Sequence, residues 1–158
     1  MCADEFSASL ILANETETSR LGASLAELLV AGDTLLLEGP IGAGKTHLAR
    51  AIIQARLKVP EDVPSPTFTL VQTYEADSCE IWHADLYRLT DSSELIELGL
   101  AEAFEAAIVL IEWPDRLGDI APPNALRIRF ATEGGGRRLE MSSPSAHWSK
   151  FDAVLADA

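Results

Sequence analysis

Residues 39–46 read Gly39-Pro40-Ile41-Gly42-Ala43-Gly44-Lys45-Thr46, a complete G-x-x-x-x-G-K-[ST] pattern. Its flanks constrain the fold as much as its letters do. Thr34-Leu35-Leu36-Leu37-Glu38 before it reads as a short buried strand, and Lys45 to Lys58 after it as a helix with Leu48, Ala49, Ile52 and Leu57 on its buried face. A glycine-rich turn between a strand end and a helix start is where an α/β sheet binds phosphate. The glycines let backbone N–H groups turn inward, and the helix N-terminus adds unsatisfied donors and a positive dipole end. Lys45 is then placed for the β/γ-phosphates of a nucleoside triphosphate, and the Thr46 hydroxyl for Mg²⁺. Gly39, Pro40, Ile41, Gly42, Ala43, Gly44, Lys45 and Thr46 are the expected nucleotide-binding residues, with Lys45 also catalytic.

With 158 residues the chain suits one domain over 1–158, able to bury about 70% of its unfolded surface. Its net charge of −13, from 12 basic and 25 acidic residues, opposes tight direct binding to a phosphate backbone, which needs clustered Lys and Arg. Any nucleic acid is expected to be held by a partner. Cys2 and Cys79 have neither metal-ligand spacing nor a disulfide framework, which fits a reducing cytosol. The acidic start, Met1-Cys2-Ala3-Asp4-Glu5, lacks a basic leader, and no apolar run reaches membrane-spanning length. The expectation is a cytoplasmic protein without a membrane partner.

The rest of the chain predicts a mixed central sheet with antiparallel edge strands. Ser7 to Leu12 reads as an opening strand. Asn14-Glu15-Thr16-Glu17 is a capping box for a helix to about Val30, with Leu21, Leu25, Leu28 and Leu29 on one face. Pro60 and Pro64-Ser65-Pro66 impose a stiff, extended segment. Strands are expected over Phe68–Tyr74 and Glu80–Asp85, and short helices near Ser92–Glu97 and Leu100–Ala106. Ala106 to Ile111 is a continuous apolar run, as in a strand buried on both faces. Leu126, Ile128 and Phe130 alternate with arginines, Gly134-Gly135-Gly136 turns into a hairpin over Arg137–Met141, and a helix around Ala146–Leu155 closes the chain.

Three further segments bear on the site. Glu112 ends the buried run and resembles a Walker B acid, placed in the crevice at the strand's carboxyl end to hold Mg²⁺ or orient water. His83 and Asp85 share one face of an extended segment, Trp82 and Ala84 the other. Two readings fit Asp85: a further Mg²⁺ or water-positioning group, or an ion pair with Arg88 that holds a turn. His83 reads as a hydrogen-bonded structural histidine, since phosphoryl transfer needs no histidine base. Ser65-Pro66-Thr67-Phe68-Thr69 is either a hydroxyl-bearing switch loop or a proline-bounded surface loop. Arg88, Arg137 and Arg138 are candidate transition-state cations, and Trp113-Pro114 stops the strand after Glu112.

Together these four motifs, Gly39 to Thr46, Ser65 to Leu70, His83-Ala84-Asp85-Leu86-Tyr87-Arg88-Leu89 and Glu112-Trp113-Pro114, follow the order and spacing of the TsaE (YjeE) family. The resemblance covers nearly the whole chain. It implies a P-loop NTPase fold in three layers that binds ATP and Mg²⁺, hydrolyses ATP slowly alone, and works with TsaD and TsaB. Those partners attach a threonylcarbamoyl group to the adenosine beside the anticodon of tRNAs reading ANN codons. By position it implies Thr46, Glu112 and Asp85 as metal-binding or hydrolytic residues, with a switch at Ser65, Thr67 and Thr69. It further implies Trp113 as a functional neighbour of Glu112, and Glu15, Gly136 and Arg137 near the base and ribose. Pro40-Ile41 departs from the acid followed by an apolar residue that is common in that part of the family's loop.

Two other classes are weighed against this. A small-molecule kinase would need a substrate cradle and an arginine-bearing lid, for which Arg137-Arg138 is the one hint. A GTPase would need an Asn-Lys-x-Asp guanine-reading motif, which the chain lacks. A nucleotide-gated adaptor merges with the family reading if ATP drives assembly and release.

Overall fold

The structure, a computed structural model, describes residues 5–40, 42–57, 63–64, 70–89, 91 and 93–156. Ile41 and the expected switch residues Ser65, Thr67 and Thr69 lie outside the described residues.

Seven strands form one mixed sheet: β1 (Phe6–Leu12), β2 (Thr34–Glu38), β3 (Val71–Glu75), β4 (Glu80–Asp85), β5 (Ile108–Glu112), β6 (Leu126–Glu133) and β7 (Gly136–Ser143). Their order is β1-β7-β6-β2-β5-β4-β3. β6, β2, β5 and β4 run parallel in the middle, while β7, β1 and β3 join antiparallel at the two sides. The two central strands of that group, β2 and β5, read as near-continuous apolar runs because both of their faces are covered, whereas β6 alternates buried apolar residues with exposed arginines.

Two helices cover one face, α1 (Glu15–Leu28) and α2 (Lys45–Arg56). Leu21 and Leu25 of α1 and Leu48 and Ile52 of α2 share a core with Leu35, Leu37 and Leu110. On the other face α3 (Ser93–Glu97) and α4 (Leu100–Ala106) bring Leu95, Leu100 and Ala103 against Leu36, Val109 and Ile111. The period-2 alternation of β2 and β5 therefore sorts side chains between two cores. Asn14 caps α1 as expected: its side chain accepts from Glu17 N at 3.0 Å, and Glu17 Oε1 accepts from Ala13 N at 2.9 Å.

Phe68 and Thr69 of the expected strand lie outside the described residues, and β3 is entered at Val71, after Leu70 at φ 65°. Two expected boundaries shift. Ala106 closes α4 rather than opening β5, with Ala107 donating back to Ala103 O. The closing helix is a 3₁₀ segment over Ala146–Phe151 followed by the short α5 (Asp152–Ala156). That segment is tied down by Asp33, a buried acid at the start of β2, whose carboxylate lies 2.8 Å from His147 Nε2 and 2.6 Å from Lys150 Nζ. Trp148 is buried beside it and donates to Asn124 O at 2.8 Å. Among the described residues no helix is long and apolar enough to cross a membrane.

Helices α1 and α2 touch at Gly22, where an added Cβ would lie 2.6 Å from Ala51 Cβ. Gly22→Val should destabilise the fold by about 1–3 kcal/mol through overpacking. Thermal unfolding should register this as a melting temperature lowered by several degrees; an unchanged value would refute so close an approach.

Candidate functional site

A cavity of about 700 Å³ opens at the carboxyl ends of β2, β4 and β5. This is the position at which open α/β sheets receive ligands. Its walls come from the start of α1 (Asn14, Glu15, Thr18), the start of α2 (Gly42, Gly44, Lys45, Thr46, His47), the β4 and β5 ends (Asp85, Tyr87, Arg88, Glu112, Trp113) and the β6–β7 turn (Gly135, Gly136, Arg137).

The turn after β2 is shaped by its glycines. Gly39 leaves the strand at φ 141° with its Cα against β6, where a Cβ would meet Phe130 O at 2.7 Å. Gly44 adopts φ 104° as the N-cap of α2 and offers no side-chain cap. The first-turn N–H groups of a 12-residue helix are thus left without a side-chain acceptor at the cavity wall. Meanwhile the loop carbonyls are occupied. Lys45 Nζ donates to Gly39 O, Ala43 N to Pro40 O at 3.2 Å, and Arg137 to Ala43 O at 2.9 Å and Gly42 O at 3.0 Å. Carbonyls turned to donors and amides turned to the cavity make an anion receptor.

Beneath the helix start lies a buried polar chain. Thr46 Oγ1 donates to Glu112 Oε1 at 2.7 Å, and His83 Nε2 donates to Glu112 Oε2 at 2.7 Å. Glu112 is 2% exposed and His83 fully buried. Asp85 stands opposite Glu112 in the β4–β5 register and accepts from Tyr87 N at 3.0 Å. The set is one hydroxyl and two nearby carboxylates. Among the described residues no three His, Cys, Asp or Glu side chains converge into a self-sufficient cation cage. Such a sparse donor set suits Mg²⁺, which takes one or two carboxylates and completes its shell with phosphate and water.

Lys45 is buried, and its ammonium lies 3.5 Å from the centroid of the Trp113 ring, which in turn stacks obliquely on Tyr87 at 4.9 Å. Trp113 holds φ 60°, a conformation unusual for a bulky side chain, and this turns its ring toward the lysine instead of along the strand. Burial pulls the Lys45 ammonium below its ordinary value of 10.5, while Glu112, Asp85 and Asp115 pull the other way and only partly offset it.

Lys45, Thr46, Asp85, Glu112, Trp113, Glu15, Gly136 and Arg137 all line the one cavity. Gly39 and Pro40 shape the loop from behind it, and Ala43 is buried in the core. Of the three candidate cations, Arg88 lines the cavity. Arg137 is engaged with the loop carbonyls, and Arg138 pairs with Glu133 and Glu140 on the outer surface. What the sequence missed is the contact between His83 and Glu112. The alternation in β4 had placed His83 on the face of Asp85, but its partner comes from a neighbouring strand.

With the geometry in place, comparison with known proteins is informative. The family model described as "Threonylcarbamoyl adenosine biosynthesis protein TsaE" matches residues 12–139. A Rickettsia felis protein named tRNA threonylcarbamoyladenosine biosynthesis protein TsaE is 39% identical over 130 residues, covering 82% of this chain and 76% of its own. The Bacillus subtilis protein of the same name is 34% identical over 126 residues, covering 79% and 78%. In fold, the crystal structure of Bacillus subtilis YdiB superposes with a TM-score of 0.79 over 99% of this chain and 98% of its own, at 23% identity.

Since the folded pKa of Lys45 lies below the unfolded one, the cost of burying its charge is carried in full at neutral pH and relieved as pH rises toward 10.5. The stability of the wild-type chain relative to Lys45→Met should therefore increase between pH 7 and the alkaline range, as urea unfolding of both proteins without ligand would reveal.

Proposed function

The chain belongs to the TsaE family, and from that premise we propose that it is a Mg²⁺-dependent P-loop ATPase of tRNA threonylcarbamoyladenosine formation. The observation that carries the reading is the Thr46–Glu112 hydrogen bond, which joins residues 66 apart in sequence directly below the uncapped start of α2. A hydroxyl and a carboxylate at that spot, beside a buried lysine, are the protein's half of a metal–phosphate site.

In this reading the amides at the start of α2 and Lys45 hold the phosphates of ATP, and Thr46 and Glu112 hold Mg²⁺. The ion supplies charge neutralisation and orientation of the phosphate oxygens when bound. Asp85, opposite Glu112, orients the attacking water or shares the ion. Glu15, Gly136 and Arg137 form the outer wall toward the base and ribose. Adenine is the expected base, as no guanine-reading motif occurs in the sequence. Ser65, Thr67 and Thr69 would respond to the γ-phosphate as a switch.

With Arg137 committed to loop carbonyls, slow turnover alone and faster turnover in a complex are the natural expectation. The partners proposed are TsaD and TsaB, with tRNA reached through them, since a chain of −13 net charge suits a protein surface better than bare tRNA. We assign the whole chain to one domain acting in the cytoplasm.

Two measurements test the reading. Lys45→Ala should remove calorimetrically detectable ATP binding while far-UV circular dichroism stays as in the wild type; retained affinity would move the site elsewhere. Glu112→Gln should lower ATP turnover by about a hundredfold or more yet bind ATP in EDTA almost normally, because the backbone donors remain. Wild-type turnover in that variant would count against the metal assignment.

A further inference from the structure

Glu112 has two carboxylate oxygens, and they have different neighbours. Oε1 accepts from Thr46 Oγ1 on the cavity side, whereas Oε2 accepts from His83 Nε2 within the sheet, each at 2.7 Å. His83 is fully buried, and its Nδ1 has no hydrogen-bond partner among the described residues. Among those residues its one directional polar contact is therefore to Glu112. An apolar side chain of similar volume would fill the same space without the desolvation cost of a buried imidazole. That cost needs a reason, and the carboxylate supplies one.

Strand register explains how the two residues meet. His83 stands opposite Leu110 on β5, and Glu112 lies two residues further along the same face, within diagonal reach across the ladder. Ile81 and Leu110 belong to the core beneath α1 and α2, so His83 and Glu112, on the same alternation, point toward the start of α2. An ionised carboxylate only accepts hydrogen bonds, so the ring must carry its proton on Nε2.

We infer that His83 is a positioning residue: by holding Oε2 it fixes the rotation of the Glu112 carboxylate and leaves Oε1 alone to serve a cation beside Thr46. The inference rests on the Mg²⁺–nucleotide reading above and deepens it. Glu112 then acts as a single-oxygen ligand with a preset direction. This matches the strict octahedral demand of Mg²⁺ and disfavours the two-oxygen grip that a larger, more tolerant cation such as Ca²⁺ accepts. Partners that orient a ligand in this way typically alter metal affinity by about 10–100-fold when removed.

The test compares wild type, His83→Gln and His83→Leu. Gln retains an N–H donor at similar reach, and Leu retains only bulk. ATP affinity is measured by calorimetry in EDTA and over a series of free Mg²⁺ concentrations. The expected result is unchanged ATP affinity in EDTA for all three, with a Mg²⁺ midpoint at least about tenfold higher in His83→Leu and largely restored in His83→Gln. A midpoint in His83→Leu within twofold of wild type overturns the inference, as does a His83→Gln midpoint displaced as far as that of His83→Leu. Loss of ATP affinity in EDTA would likewise overturn it, by making His83 a structural residue of the whole pocket. Should the variants not fold, ¹⁵N spectra of the wild-type imidazole decide. An Nε2-protonated His83 ring whose signals shift when Mg²⁺ is added to the ATP-bound protein supports the assignment, and a ring indifferent to Mg²⁺ defeats it. If wild-type ATP binding itself is absent or ignores Mg²⁺, the functional reading fails, and this inference falls with it.

Discussion

The first turn of α2 starts without a side-chain cap, and much of the surrounding structure follows from that omission. A helix end has backbone donors that need partners, and most helices satisfy them with a Ser, Thr, Asp or Asn just upstream. Here Gly44 occupies that place in a left-handed conformation. The loop before it keeps its carbonyls away from those donors by giving them other company: Lys45 for Gly39, an internal turn for Pro40, Arg137 for Gly42 and Ala43. Arg137 is held in place by the β6–β7 hairpin, and β7 by its long antiparallel pairing with β1. The outer strands thus brace a loop that they do not contain.

The charges of the site obey the same economy. An ammonium buried among protein dipoles is uncomfortable, and Lys45 is quieted by the Gly39 carbonyl, the electron-rich face of Trp113 and the carboxylates of Glu112, Asp85 and Asp115. Its ammonium lies at the wall of the cavity, where an incoming anion would meet it. Trp113 reaches the lysine because its backbone turns to φ 60° immediately after β5. Strain of that kind is maintained only where the surroundings enforce it, and such positions cluster at functional sites.

Much of this was legible in the sequence because it is local. The strand–loop–helix unit, the Asn14 cap, the apolar runs of β2 and β5 and the alternation of β6 are all patterns within a few residues of one another. The convergence of Thr46, Asp85 and Glu112 also followed, since acids at the carboxyl ends of neighbouring parallel strands must meet the loop that leaves the strand beside them. What stayed hidden depends on strand order and register. His83 finds Glu112 only because β4 lies beside β5 in one particular alignment. Asp33 carries no local signal of its role, yet it is the buried anchor for His147 and Lys150 from the far end of the chain. Arg137 offered a free guanidinium on paper, and only the fold reveals that the carbonyls of Ala43, Gly42 and Gly136 already occupy it.

The backbone contact between α1 and α2 at Gly22 and Ala51 has a consequence for the cavity's calibre. Each helix contributes its first turns to the cavity wall, through Thr18 and Thr46. Thr18 lies one turn from Gly22, about 6 Å along the axis. With no side chain to separate them there, the helices share a pivot, and a small wedge at the pivot becomes an angular opening at the mouth. The dimension that decides which ligand fits is therefore written partly in a hydrogen atom, at a position that touches no ligand and that an inspection of the lining residues would pass over.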